Sequence, residues 1–282
     1  MTDHRTLLLD LFNAAVDAVV PQKCLLPHLP DPQTVSGRIV IVGAGKAAAE
    51  MALIADQYYG DRASGLVVTR YGHIDPDRQA QHIEVVEASH PVPDAEGEIA
   101  ARRMLDLVSE LQADDLVICL LSGGGSALLS APAAGLALAD KQAVTTALLR
   151  SGATISQINT VRKHLSDIKG GRLALAAAPA RMLTLAISDV PHDDVAVIAS
   201  GPTVPDPTSF ADARALMVKF NISGPETVVD HLAAAVNETA KPGDPAFVAD
   251  DYKLIATPRA ALDAAAATAR HAGYEIIDLG DS

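Results

Sequence analysis

The stretch Asp115–Leu128, DLVICLLSGGGSAL, sets an apolar run against three adjacent glycines flanked by Ser122 and Ser126. Glycines placed side by side cost backbone entropy, so they belong where φ is positive or where something must approach the backbone closely. The run of residues reads as a buried strand, then a loop, then a helix. Bare N–H groups at such a junction form an anion site. Gly123, Gly124 and Gly125, with the two serines, are therefore candidates to cradle phosphate, with an ordinary glycine turn as the competing reading.

A second loop has related chemistry. Gly43-Ala44-Gly45-Lys46-Ala47-Ala48 follows the apolar run Arg38–Val42 and fits the dinucleotide pattern G-x-G-x-x-A. The acid that pattern needs about 20 residues on is missing, since Thr69 and Arg70 stand there. Lys46 at the head of a helix instead suits a phosphoryl group, while Gly43 and Gly45 would let the chain approach it. A solvated lysine beside a packing turn is the alternative. No Walker A motif, C-x-x-C, H-E-x-x-H or G-x-S-x-G occurs.

Three further segments carry candidate groups. Asn159–Arg172 holds Arg162, Lys163, Lys169 and Arg172 against the single acid Asp167, a cluster suited to a carboxylate or phosphate. Ser188-Asp189 ends an apolar run, where ligands bind in open α/β sheets; Asp189 is placed to hold Mg²⁺ or accept a hydroxyl proton, or to cap a helix. His90, in SHPVPD after another apolar run, would reach the same rim to bind substrate or move a proton, or would serve its loop structurally.

The elements that must position these groups alternate. Apolar runs at Arg38–Val42, Leu66–Thr69, Ile83–Ala88, Leu116–Leu121 and Met182–Ile187 predict strands, with helices over Ala47–Tyr59, Glu96–Leu111, Asp140–Ser151 and from Ile155. Short apolar runs without polar alternation suit parallel strands covered on both faces. The fold class expected is α/β: a doubly wound, mostly parallel, Rossmann-like sheet with helices on both faces. The expected domains are 1–240, a linker at 241–251, and an incomplete second α/β domain at 252–282. The last is expected from a strand at Tyr252–Ala256, a helix at Pro258–Ala272 and a strand at Tyr274–Leu279.

Composition narrows the function. The chain has 282 residues, 49% hydrophobic, with no Trp, four Phe and five Tyr, so its core is aliphatic. A formal charge of −13 argues against a nucleic-acid or anionic-membrane partner. Two cysteines, one inside a strand pattern, do not make a disulfide framework. The N-terminal twenty residues read as an amphipathic helix, and no apolar run of membrane length occurs, so a cytoplasmic location is expected.

Taken together, VGAGKAA, SHPVPDAEG, LLSGGGSALL, INTVRKHLSDIKGGRLA, LAISDVPHDD and IASGPTVPD resemble the glycerate 2-kinase family, whose C-terminal part is called the MOFRL domain. Some members carry the name hydroxypyruvate reductase. The resemblance runs from about residue 5 to 282. It implies ATP-dependent phosphorylation of D-glycerate at its 2-hydroxyl, with Mg²⁺, in a cleft between two α/β domains. It further implies catalytic roles for Lys46 and Asp189, with Asp189 on the metal. It places nucleotide at Gly43, Gly45, Ser122–Ser126, Ser188, Gly201 and Thr203, and D-glycerate at His90, Arg162 and Lys163. The family pattern continues well over a hundred residues further, so a truncated, inactive chain prone to homo-oligomerise is the expectation. The alternatives are an NAD(P)-dependent hydroxypyruvate reductase and an anion- or nucleotide-binding module without catalysis.

Overall fold

The computed structural model describes residues 4–280. Six strands form one parallel sheet: β1 Ile39–Ala44, β2 Ala63–Arg70, β3 Ile83–Ala88, β4 Leu116–Leu121, β5 Arg181–Ile187 and β6 Asp251–Ala256. Their order across the sheet is β3-β2-β1-β4-β5-β6. That is the doubly wound order in which the chain reverses direction between β1 and β4.

Alternation along each strand explains both layers. Val40, Val42, Val117, Cys119 and Leu121 face the helices α4 (Ala95–Ser109) and α8 (Arg172–Ala177). Ile39, Ile41, Ile118, Leu120 and Leu185 face α3 (Ala48–Tyr59) and the turn around Leu25 and Leu29 that follows α1 (His4–Val19) and α2 (Pro21–Cys24). With both faces covered, the central strands have no polar side to show, hence the unbroken apolar runs. A third apolar cluster joins α6 (Leu138–Arg150), α7 (Ile155–His164), α9 (Phe210–Lys219) and α10 (Glu226–Ala234) through Leu148, Val161, Phe210 and Leu232. Between β4 and α6 stands the single turn α5, Gly125–Leu128.

Two expectations are corrected. Asp251–Ala256 does not open a separate unit: it pairs with β5 as the edge strand of the main sheet, and α11 (Pro258–His271) packs along α1. No strand forms at Tyr274–Leu279 among the described residues. Ile277 there is 87% exposed, because no neighbouring strand offers its segment a ladder. Met1–Asp3 and the last two residues, to which the helix and domain expectations also extended, lie outside the described residues.

Candidate active site where the sheet reverses

The loops leaving β1 and β4 meet at the crevice that such a sheet opens beyond its strand ends. They are clasped together. Lys46 N–H donates to the Gly123 carbonyl (2.8 Å), Ser122 N–H to the Ala44 carbonyl (3.1 Å), and Ala47 N–H to Ser122 Oγ (3.0 Å). Gly45 N–H is taken by the Val68 carbonyl at 3.0 Å. A Cβ on Gly43 would stand 2.0 Å from the Leu120 carbonyl oxygen, and one on Gly45 2.1 Å from Ser122 Oγ. These two glycines admit the neighbouring loop rather than a ligand. Gly43 and Gly45, expected on the nucleotide, serve the clasp, and the G-x-G-x-x-A turn keeps no open amide cradle. Ser122 serves the clasp through one lone pair while still lining the pocket beside the loop.

The glycine loop after β4 differs. The N–H groups of Gly123, Gly124 and Ser126 have no acceptor among the described residues. Gly124 needs its freedom, with φ of 88°. The helix behind it is a single turn, so the open amides and not a long helix dipole define this concavity. Candidate side chains converge on it. Asp189 Oδ2 lies 2.2 Å from where a Gly123 Cβ would stand, and His90 Nε2 and Lys46 Cε lie 3.1 and 3.6 Å from the Gly124 position. Neither Lys46 nor Asp189 makes a side-chain hydrogen bond or ion pair with any described residue, and both are exposed. Burial holds His90 below the ordinary histidine range; the Lys46 and Arg70 charges add to that shift and Asp189 opposes it. The ring is therefore neutral at pH 7.

Beside the loop opens a pocket of about 250 Å³ whose lining includes Gly124, Ser126, Ile155, Asn159, Asp189 and Ala199. A larger pocket of about 700 Å³ lies at the β3 edge, but its charges are spent on each other, Arg78 on Glu50 and Arg103 on Glu84. The smaller pocket is the one that adjoins the open amides of the glycine loop and the unpaired Asp189.

The remaining expected residues divide. Arg162 lies one turn beyond Asn159 on α7, its guanidinium without a hydrogen bond to the described residues and held below the usual arginine range by burial. Lys163 points away: it is buried against Asp206 at 3.3 Å and cannot meet a substrate. Ser188 turns to its own chain, its hydroxyl accepting from Val190 N–H at 3.3 Å. Thr203 is buried on Thr184 Oγ1 at 2.8 Å, and Gly201 forms a left-handed corner against Ala196, so neither reaches the pocket. Asn159 and Ser200 escape the sequence reading, and Lys169, read there as part of an anion-binding cluster, is bonded to backbone carbonyls instead. Lys169, 1% exposed, donates to the carbonyls of Ser126 (2.8 Å) and Ala199 (3.5 Å), bracing both walls. The visible signal was helical spacing, Ile155, Asn159 and Arg162 forming one stripe.

A nucleotide with Mg²⁺ fits these groups. Mg²⁺ needs only one or two carboxylates when phosphates complete its shell. Asp189 is the one carboxylate lining the pocket, and no cluster of three metal-ligating side chains exists among the described residues. The positions that a Cβ would fill at Gly123 and Gly124 are the approach to the open amides.

Fold and crevice together define a Rossmann-type α/β protein with a glycine loop of open amides at the reversal of its sheet. Residues 7–233 match the model of the family described as domain of unknown function (DUF4147), and the chain belongs to that family. A protein of Agrobacterium vitis whose name offers hydroxypyruvate reductase only as a suggestion is 51% identical over 279 residues, 99% of this chain and 62% of that one. The D-glycerate 2-kinase of Thermotoga maritima is 41% identical over 238 residues, 84% of this chain and 55% of that one. The crystal structure of a glycerate kinase from Thermotoga maritima superposes with a TM-score of 0.85 at 38% identity, covering 96% of this chain and 63% of that one. This chain thus spans roughly three fifths of the relatives' length. No helix among the described residues is long and apolar enough to cross a membrane.

Proposed function

We propose that this chain carries the phosphoryl-transfer site of a D-glycerate 2-kinase, which moves the γ-phosphoryl of ATP to the 2-hydroxyl of D-glycerate and releases 2-phosphoglycerate and ADP. The observation that carries the reading is the convergence of Lys46, His90 and Asp189, two of them unpaired, on a loop with open amides. Phosphoryl transfer demands charge neutralisation and alignment more than covalent chemistry, and these are the groups for it. The amides of Gly123, Gly124 and Ser126 hold phosphate oxygens. The Lys46 ammonium reaches over Gly124 toward charge on the moving phosphoryl. Asp189 holds Mg²⁺, which when bound neutralises the phosphates. Neutral His90 accepts the hydrogen bond of the 2-hydroxyl, and the unpaired Arg162 guanidinium takes the carboxylate.

The kinase names of relatives support the same reading. The name hydroxypyruvate reductase belongs to another relative, but a nicotinamide dinucleotide would need the first-turn amides that the clasp consumes. Coupled assays separate the readings. ADP release dependent on D-glycerate supports the kinase; NAD(P)H consumption with hydroxypyruvate overturns it, and nucleotide binding without turnover in either assay reduces the chain to a binding module.

A further inference from the structure

We infer that Ser126 accepts a hydrogen bond from the non-reacting hydroxyl of the acceptor substrate, and that the relay Ser126–Ser200–Asn159–Val197 fixes it as an acceptor only. The identity of that substrate as D-glycerate rests on the kinase reading; the polarity of the relay does not.

The polarity follows from counting protons. Asn159 Nδ2 donates to the Val197 carbonyl at 3.5 Å, which turns Oδ1 toward Ser200. The Ser200 hydroxyl, fully buried, donates to that Oδ1 at 3.1 Å. A hydroxyl has one proton to give. In the short contact between Ser126 and Ser200, Ser126 must therefore be the donor. Reversing it would leave the Asn159 carbonyl without a donor inside the protein. Ser126 lines the pocket with only lone pairs left to offer.

An oxygen presented this way repels a phosphate or carboxylate oxygen and attracts a hydroxyl. It cannot serve as a base, because the relay ends on a backbone carbonyl that takes no proton. Its partner is thus a hydroxyl that is held, while the reacting one lies toward Lys46 and His90. The backbone supports a built device. Ala199 and Ser200 both adopt left-handed φ, 51° and 63°, conformations that non-glycine residues adopt at a cost. Lys169 ties Ala199 to Ser126 and keeps the two walls in register. For D-glycerate the held group is the 3-hydroxyl, which D-lactate lacks.

Calorimetric titration of the full chain with D-glycerate and D-lactate tests this without turnover. The unsubstituted protein should favour D-glycerate about tenfold, the worth of one neutral hydrogen bond. Ser126→Ala should abolish that preference by weakening D-glycerate alone. Asn159→Asp, which keeps an acceptor for Ser200, should retain it. A preference that survives Ser126→Ala, or is absent from the unsubstituted protein, overturns the inference. Absence of D-glycerate-dependent ADP release alongside the expected binding pattern would overturn the kinase reading alone.

Discussion

Gly123→Ala separates the candidate chemistry from the fold. Gly123 has an ordinary negative φ, so alanine brings no backbone strain there. The only group its Cβ would meet closely is the Asp189 carboxylate, 2.2 Å away where ordinary contact begins near 3.4 Å. That carboxylate ends an exposed side chain without a partner, so it can retreat cheaply, by about 1 Å. A misplacement of ~1 Å at a reacting centre costs about 100-fold in rate. Urea unfolding should accordingly be unchanged within about 0.5 kcal/mol, while D-glycerate-dependent ADP release falls about 100-fold. The neighbouring glycines set the contrast. Gly124→Ala, at φ of 88°, should lose about 1–2 kcal/mol of stability together with activity. Gly125→Ala would meet Ala199 Cβ at 2.9 Å and the Ala44 carbonyl at 3.1 Å, so it should unsettle the clasp itself. Full turnover in a stable Gly123→Ala protein would refute the placement of Asp189 in the site.

Lys46→Ala should depress kcat strongly with KM for ATP little changed, the mark of a contact made in the transition state; steady-state kinetics with near-normal kcat would return Lys46 to the solvent. Lys163→Met should instead destabilise by about 3–5 kcal/mol, by stranding buried Asp206, without altering KM for D-glycerate at temperatures where the protein stays folded. Lys141 is buried, and burial and then the Arg162 charge push its pKa down from 10.5 to about 7. Because the unfolded chain binds that proton more readily between pH 7 and 10.5, its charge costs stability most at low pH. Lys141→Met should therefore stabilise by up to about 5 kcal/mol at pH 6 and by only about 1 kcal/mol at pH 10, read by urea unfolding across pH; a pH-independent difference would contradict it. His90, shifted down, should gain a proton as pH falls below its lowered value, placing a third cation beside Lys46 and Arg70; the acid limb of the pH–rate profile should move in His90→Gln.

The sheet was legible because parallel strands buried on both faces leave apolar runs, and Leu116–Leu121 appears in the structure with the same bounds as in the sequence. The fate of Tyr252–Ala256 was not, since its pairing with β5 joins segments some sixty residues apart and no local pattern reports the partner. Ile276 and Ile277 look like a strand only if a neighbouring ladder exists. At the site, the glycine run was legible as a phosphate loop, but its meaning differed from residue to residue. Gly123 answers to Asp189, Gly124 to a left-handed φ, and Gly125 to Ala199. Arg162 and Lys163 carry equal charge in sequence, yet one residue of helix turns Arg162 to the Asn159 stripe and Lys163 to Asp206, 43 residues away. Ser122 and Ser126 flank the same glycines and both line the pocket, but one accepts from Ala47 N–H of the neighbouring loop and the other is tied to Ser200. Such divisions depend on which distant loop arrives, and only the fold decides that.

The most direct measurement is identification of the product by phosphorus NMR after incubating the protein with ATP, Mg²⁺ and D-glycerate. A 2-phosphoglycerate resonance should grow in step with ADP and be abolished by Lys46→Ala. Phosphate on the 3-hydroxyl, or no phosphoglycerate from a folded protein that oxidises NAD(P)H with hydroxypyruvate, would contradict the 2-kinase reading.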